Sequence, residues 1–252
     1  TDFKRYYLDR YMAILYRNNY TSITLIHSNE TFVGYTGKLY NTLQYIRKMS
    51  NRFVGVEIIS QTQKKTELEC FILKDLEKAN VIEKRIYFLI KETLSNLLDA
   101  TKKNFEIFDS QVYDYHDNIV KFINYYLRII DRLELGPGVK KQTYALYVLI
   151  DKVVDKIRHL SNKIKEYGCS NKVKPHLKNI FEELNLLFTS LHKHNLDREA
   201  IMRRSKLINA INHEKFTANE MRVIKEVDLL LNLINDFTET IITQKMFIEN
   251  KN

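Results

Sequence analysis

The chain has no tryptophan, only two prolines and six glycines in 252 residues, so helix breakers are scarce and long helices are expected to dominate. It has two cysteines, Cys70 and Cys169, far apart and in no Cys-x-x-Cys pair. That spacing supports neither a zinc module nor a redox motif, and it suits a reducing cytoplasm. No apolar run approaches the roughly 20 residues that a membrane span needs. No signal peptide is visible, and with Thr1 in place of Met a removed upstream segment is one expectation. Gly34-Tyr35-Thr36-Gly37 lacks the Lys-Ser/Thr that completes a Walker phosphate loop, and no Gly-x-Ser-x-Gly elbow occurs. Neither cysteine sits in a nucleophile motif. With no support for catalysis, a non-enzymatic protein is expected.

What is present fits a folded chain. Hydrophobic residues make up 44% and charged residues 28%, a globular rather than a disordered balance. Sixteen tyrosines and 13 phenylalanines supply the large core groups. The net charge of +9 raises the question of an anionic partner. Lysines and acids alternate along the helices, however, without a compact basic block, which reads as a solvated surface. Lys102-Lys103, Lys140-Lys141 and Arg203-Arg204 keep nucleic-acid binding open. Tyr125, Tyr126 and Tyr144 lie in helical stretches where packing is the simpler role. No helix-turn-helix spacing is evident.

The first 74 residues alternate between periods and read as a small α+β unit. Phe3 to Arg17 has helical period. Ser22 to His27 alternates and is β-branched, a strand pattern. Gly34 and Gly37 mark a turn, and Leu39 to Met49 returns to helical period. Phe53 to Ile59 and Thr66 to Ile72 read as strands around a Gln61 to Lys65 turn. Beyond this, six helices are expected, at about 76–104, 109–133, 138–167, 173–194, 197–213 and 217–248.

Apolar stripes mark three of these helices. They run Val112, Tyr115, Ile119, Phe122, Tyr126, Ile130 in the second and Ala145, Leu149, Val153, Ile157, Leu160, Ile164 in the third. In the sixth the stripe is Val223, Val227, Leu230, Ile234, Phe237 and Ile241. Leu135-Gly136-Pro137-Gly138 breaks the second helix from the third, and Gly168 is placed as a C′ glycine. Asp197 and Thr217 are expected N-caps, and Thr217-Ala218-Asn219-Glu220 is a capping box. Three helices, a loop and three more helices suggest a tandem repeat, hence two antiparallel three-helix bundles spanning 75–168 and 169–252 behind the 1–74 unit.

Acid pairs recur in the third helix of each triplet. Asp151 and Asp155 lie one turn apart, so both carboxylates project from one side, with His159 a further turn on. Asn232 and Asp236 echo them in the sixth helix, with Asp228 and Glu239 near. Carboxylates and imidazole suit magnesium, manganese, iron or zinc. Two carboxylates alone bind weakly, and Asp99 and Asp117 are the acids best placed in sequence to add ligands. Solvated ion pairs with Lys152 or Lys156 would use the same residues without any metal. His116 beside Asp117 admits a ligand pair or an ordinary, partly exposed helix residue. His192-Lys193-His194 suits a helix end, where cations complement the dipole.

On these residues the chain resembles the PhoU family, specifically its archaeal branch. Asp151-Lys152-Val153-Val154-Asp155 satisfies that family's third-helix Glu/Asp-x-x-x-Asp motif, and Asn232-Leu233-Ile234-Asn235-Asp236 matches only its second acid. Phe53-Val54-Gly55-Val56-Glu57-Ile58-Ile59 is similar to the segment preceding the helices in archaeal members, and Asp117 to Arg128 to their second helix. The likeness spans about residues 45–248. It implies two three-helix bundles, metal clusters at the acid motifs and a dimer. It further implies a cytoplasmic or membrane-peripheral regulator that damps a phosphate transporter and its sensor kinase by protein contact. Many archaeal members carry an AbrB-like DNA-binding domain in front. Residues 1–45 show no such pattern, which would place one before Thr1. A nucleic-acid-binding transcriptional regulator and a helical scaffold are the readings from other classes.

Overall fold

The computed structural model describes residues 5–28, 30–33, 37–71, 79–103, 105–193 and 199–249. The chain is mainly helical with a small antiparallel sheet near its N-terminus. It divides into two compact units: Thr1–Lys84 with Val120–Leu133, and Arg85–Ile119 with Glu134–Asn252.

The first unit holds helix α1 (Arg5–Arg17), strands β1 (Ser22–Ile26), β2 (Thr31–Val33) and β3 (Leu39–Asn41), helix α2 (Thr42–Ser50), and strands β4 (Val56–Gln61) and β5 (Lys65–Cys70). The sheet order is β1-β5-β4, with both pairings antiparallel. Along β5, Thr66, Leu68 and Cys70 are buried, the two-residue period of a strand with one covered face. A separate ribbon pairs β2 with β3, Phe32 opposite Tyr40.

Two sequence expectations shift here. Leu39–Asn41 is strand, not the start of a helix, and β2 was not foreseen. The Asn41 side chain accepts the Gln44 N–H at 3.0 Å and caps α2, so the helix begins only at Thr42. The first long strand was expected from Phe53, but β4 starts at Val56. Gly55 has φ +71, and a Cβ there would lie 2.6 Å from the Phe71 carbonyl oxygen. The extended run therefore cannot pass through Gly55, which instead accepts the Phe71 N–H at 2.7 Å. The turn between β4 and β5 is as expected, closed by Thr62 and Lys65. The Gly34 and Ile72 expectations fall outside the described residues.

Residues 120–133 contribute the last turns of helix α4 (Phe105–Ile129) and a 3-10 turn (Ile130–Arg132). Every residue from Ile123 to Ile130 is buried. The sequence Ile-Asn-Tyr-Tyr-Leu-Arg-Ile-Ile is apolar on all sides, as a helix segment surrounded by other elements must be. Its two polar members are satisfied. Arg17 donates to Asn124 Oδ1 at 2.8 Å, and Arg128 donates to the carbonyls of Tyr16 (2.6 Å) and Tyr20 (3.2 Å) near the end of α1.

The second unit holds most of helix α3 (Ala79–Ala100), the first part of α4, and helices α5 (Pro137–Tyr167), α6 (Lys174–Lys193), α7 (Ala200–His213) and α8 (Ala218–Glu249). All six expected helices are present within a few residues. α4 starts earlier than expected because Phe105 and Phe108 pack at 6.0 Å and Phe108 is buried. Pro137 opens α5, and Gly168 ends it with φ +78, its N–H bonded to the Ile164 carbonyl. The Thr217 box forms in both directions: Thr217 N–H to Glu220 Oε2 at 2.8 Å, and Glu220 N–H to Thr217 Oγ1 at 3.3 Å. Asp197 lies outside the described residues.

The α8 stripe is buried as expected from Val223 to Phe237. That of α5 is rotated by one residue at its start. Ala145 is exposed, while Leu146, Tyr147 and Ile150 are buried. The cause is the Tyr147 ring, whose hydroxyl donates to Tyr87 of α3 at 3.4 Å and turns that face inward. Tyr144 consequently stands 39% exposed, against its expected packing role, whereas Tyr125 and Tyr126 are buried.

α5 packs along α8, and α8 also packs against α6 and α7. Arg204 of α7 is 2% exposed and donates to Glu183, the Ile234 carbonyl, Asn235 and Thr238. Among the described residues no helix is long and apolar enough to cross a membrane. Cys70 and Cys169 are free thiols.

Candidate functional site

Asp151 and Asp155 lie one turn apart on α5, each partly exposed. Val153, Val154 and Ile157 between and after them are buried, which places the acids at the edge of the apolar stripe. His116 of α4 reaches across to this edge. Its Nε2 lies 3.0 Å from Asp155 Oδ1, and its Nδ1 lies 3.1 Å from Asp117 Oδ1. Arg158 donates to the same Asp155 oxygen at 2.9 Å and sits over the Tyr113 ring. Of the expected ligands, Asp117 and Asp155 are thus brought together, and a single imidazole bridges them.

The electrostatics follow from that bridge. Burial opposes the charge on His116, but its bonds to Asp117 and Asp155 outweigh this and hold its pKa above the ordinary value. Burial likewise opposes charge on Asp155, and His116, Arg158 and Lys152 together overcome it, bringing the carboxyl down to about 2. His159 goes the other way. Burial and the adjacent Arg158 lower its pKa.

The other expected ligands lie apart from this cluster. Asp99, near the end of α3, is exposed and paired with Lys102 at 3.3 Å. On α8, Asn232 is exposed and its amide lies 3.5 Å from Asp228 Oδ2. Asp236 and Glu239 are exposed. The side chains of His192 and His194 fall outside what is described. Among the described residues, no group of three or more His, Cys, Asp or Glu is arranged to hold a metal ion.

The donor types at Asp117, Asp155 and His116 suit a hard or borderline cation, while both imidazole nitrogens and one Asp155 oxygen are committed to ion pairs. A cation at Asp155 would have to replace those contacts. The sequence leaves His116 as either a ligand pair with Asp117 or a partly exposed helix residue; the structure shows it 14% exposed and 3.1 Å from Asp117, and adds Arg158, which the sequence did not single out. His116 is one residue past Tyr115 on the α4 stripe and so flanks the packed face. Arg158 follows Asp155 by three, a helical pairing distance. Comparison with family models, with curated proteins and with solved structures finds no match to this chain.

Proposed function

We propose that the chain is a non-enzymatic regulator of phosphate uptake or phosphate signalling, similar to the PhoU family. It acts by contact with transporter or sensor-kinase components, as a homodimer in the cytoplasm or at the membrane face. In this reading a 1–74 α+β unit precedes two antiparallel three-helix bundles, 75–168 and 169–252.

The observation that carries it is the recurrence of the acid pair, Asp151/Asp155 and Asn232/Asp236, in the third helix of each triplet. Side-chain contacts support the grouping. In the first triplet Asn96 bonds Tyr115, Tyr147 bonds Tyr87, and His116 bonds Asp155. In the second, Arg203 bonds Glu183, and Arg204 bonds Asn235. Within this reading Asp151 and Asp155, with Asp117, would hold a metal ion, and Asn232/Asp236 would be a weaker second position.

Two experiments test it. Deleting the gene should raise phosphate uptake and alter phosphate-responsive expression, and unchanged phenotypes in both overturn the regulatory reading. Purified chain should bind iron, manganese, zinc or magnesium, and Asp151→Ala with Asp155→Ala should abolish it. Equal binding by the double variant removes the metal part. The nucleic-acid reading is weakened because Arg203, Arg204 and Lys102 are paired with Glu183 and Asp99. DNA affinity that falls steeply with salt would restore it.

A further inference from the structure

Helix α2 and the strand feeding it line an open cavity of about 380 Å3 in the first unit. Three cations line it, Lys38, Lys48 and Arg52, together with Tyr40, Tyr45 and Met49. The helical members follow from spacing. Tyr45, Lys48, Met49 and Arg52 recur at steps of three and four, so they share one face of α2 and its C-terminal turn. Tyr45 and Met49 are 6% and 1% exposed and form the floor, while Lys38 and Lys48 are exposed.

The charge is unbalanced. Asp9 lies 3.5 Å from Arg52 and accepts the Tyr45 hydroxyl at 2.5 Å, which partly offsets that guanidinium. Among the described residues no carboxylate lines the cavity itself, so Lys38 and Lys48 leave a net positive mouth. The aromatic wall is a packed cluster. The Tyr40 ring stacks with Phe32 at 5.6 Å and meets the edge of Tyr45 at 5.7 Å, and Lys38 Nζ is 5.8 Å from the Tyr40 centroid.

We infer that this cavity binds a small phosphorylated molecule carrying a flat ring, the mononucleotide class. Its volume falls at the low end of the roughly 300–1,000 Å3 typical of small-molecule sites. The ligand ring displaces Lys38 from over the Tyr40 ring, and the released Lys38 ammonium pairs with the phosphate together with Lys48. The site does not rest on the regulatory reading, so an unaltered phosphate phenotype leaves it standing.

Isothermal titration of the full chain with AMP, adenosine and inorganic phosphate tests it. AMP should bind, with adenosine and inorganic phosphate each weaker by roughly tenfold or more. Lys38→Gln with Lys48→Gln should weaken AMP by about tenfold or more, and both positions are exposed, so circular dichroism should be unchanged. Lys141→Gln, an exposed lysine on α5, should leave AMP affinity as it was and controls for the general positive charge. Absence of AMP binding, equal affinity for adenosine or inorganic phosphate, retained affinity in the Lys38/Lys48 variant, or an equal loss in Lys141→Gln each overturns the site.

Discussion

Among the described residues each unit buries one arginine, and the two are neutralised by different means. In the first unit Arg128 donates to the carbonyls of Tyr16 and Tyr20 and lies over the Tyr16 ring at 4.6 Å. None of its hydrogen bonds among the described residues goes to a carboxylate. Backbone dipoles at the end of α1 and a ring face supply the negative potential instead. In the second unit Arg204 meets the Glu183 carboxylate, itself only 5% exposed. The same unit pairs charge between helices elsewhere, at His116/Asp155, Lys156/Glu226 and Lys165/Asp109. Where cations are matched by acids, little charge remains to attract a ligand. The first unit also uses an acid at its pocket, Asp9 against Arg52 at 3.5 Å, but Lys38 and Lys48 beside that pair leave a surplus there.

The comparison breaks most visibly at Arg204. Arg204→Met leaves Glu183 buried with only Arg203 to hold it, and about 3 kcal/mol of stability should be lost by urea unfolding. Adding Glu183→Leu should recover most of that, since the cost is a stranded charge. If the double variant is no better than the single, carboxylate pairing is not what holds Arg204.

Arg128→Leu should cost less, about 2 kcal/mol, because it strands two carbonyls and no carboxylate. Urea unfolding at two salt concentrations sharpens the contrast. The loss at Arg128 should be insensitive to salt, as expected for a dipolar partner, and no acid-removing second substitution should rescue it. Rescue by removal of a nearby acid would show that the two arginines are neutralised alike.

The contrast also explains how far the sequence was readable. Helix positions in the second unit follow from apolar period and caps, and the Thr217 box and Gly168 stop appear where spacing puts them. In the first unit the strand edges depended on single contacts, Gly55 against Phe71 and Asn41 onto Gln44. Neither is periodic, so neither is visible as a pattern. At the candidate site Asp155 was legible as a helix-edge acid, but its partner His116 lies 39 residues away on another helix. The pairing therefore depends on helix rotation, and the one-residue offset of the α5 stripe shows that sequence alone did not fix that. The cavity residues were missed because Tyr40 comes from β3 and Lys48 from α2, and no single periodic pattern joins a strand residue to a helix residue.

Within the second unit, the two acid pairs test whether a repeated pattern carries repeated chemistry. Asp155→Asn removes the negative charge that His116 and Arg158 share and leaves only a neutral amide oxygen to accept from them. Its side chain is 36% exposed, so solvent screening limits the loss to about 1 kcal/mol. Asp236→Asn, on an exposed position, should change stability by less than about 0.5 kcal/mol. Equal effects in thermal or urea unfolding would mean that α8 holds its acid as α5 does.

The smallest expected effect is the pH dependence of the His116 bridge, and its sign is fixed by the two shifts. His116 has a folded pKa above the ordinary 6.5, so its contribution is complete below that value and is lost as pH rises through the raised one. Asp155 is depressed from 3.8 to about 2, so its contribution is complete above 3.8 and is lost as pH falls toward 2. The bridge therefore contributes fully between about pH 4 and 6.5. His159, with a lowered pKa, titrates with the opposite sign and adds stability as pH rises, which would mask the trend in the unmodified chain alone. The quantity to measure is the difference in unfolding free energy between the chain and its His116→Gln variant. It should be largest near pH 5 to 6 and shrink at higher pH. A flat His116 difference up to about pH 9 would mean that the imidazole is uncharged between Asp117 and Asp155. The second unit would then lose its best example of charge matched across helices.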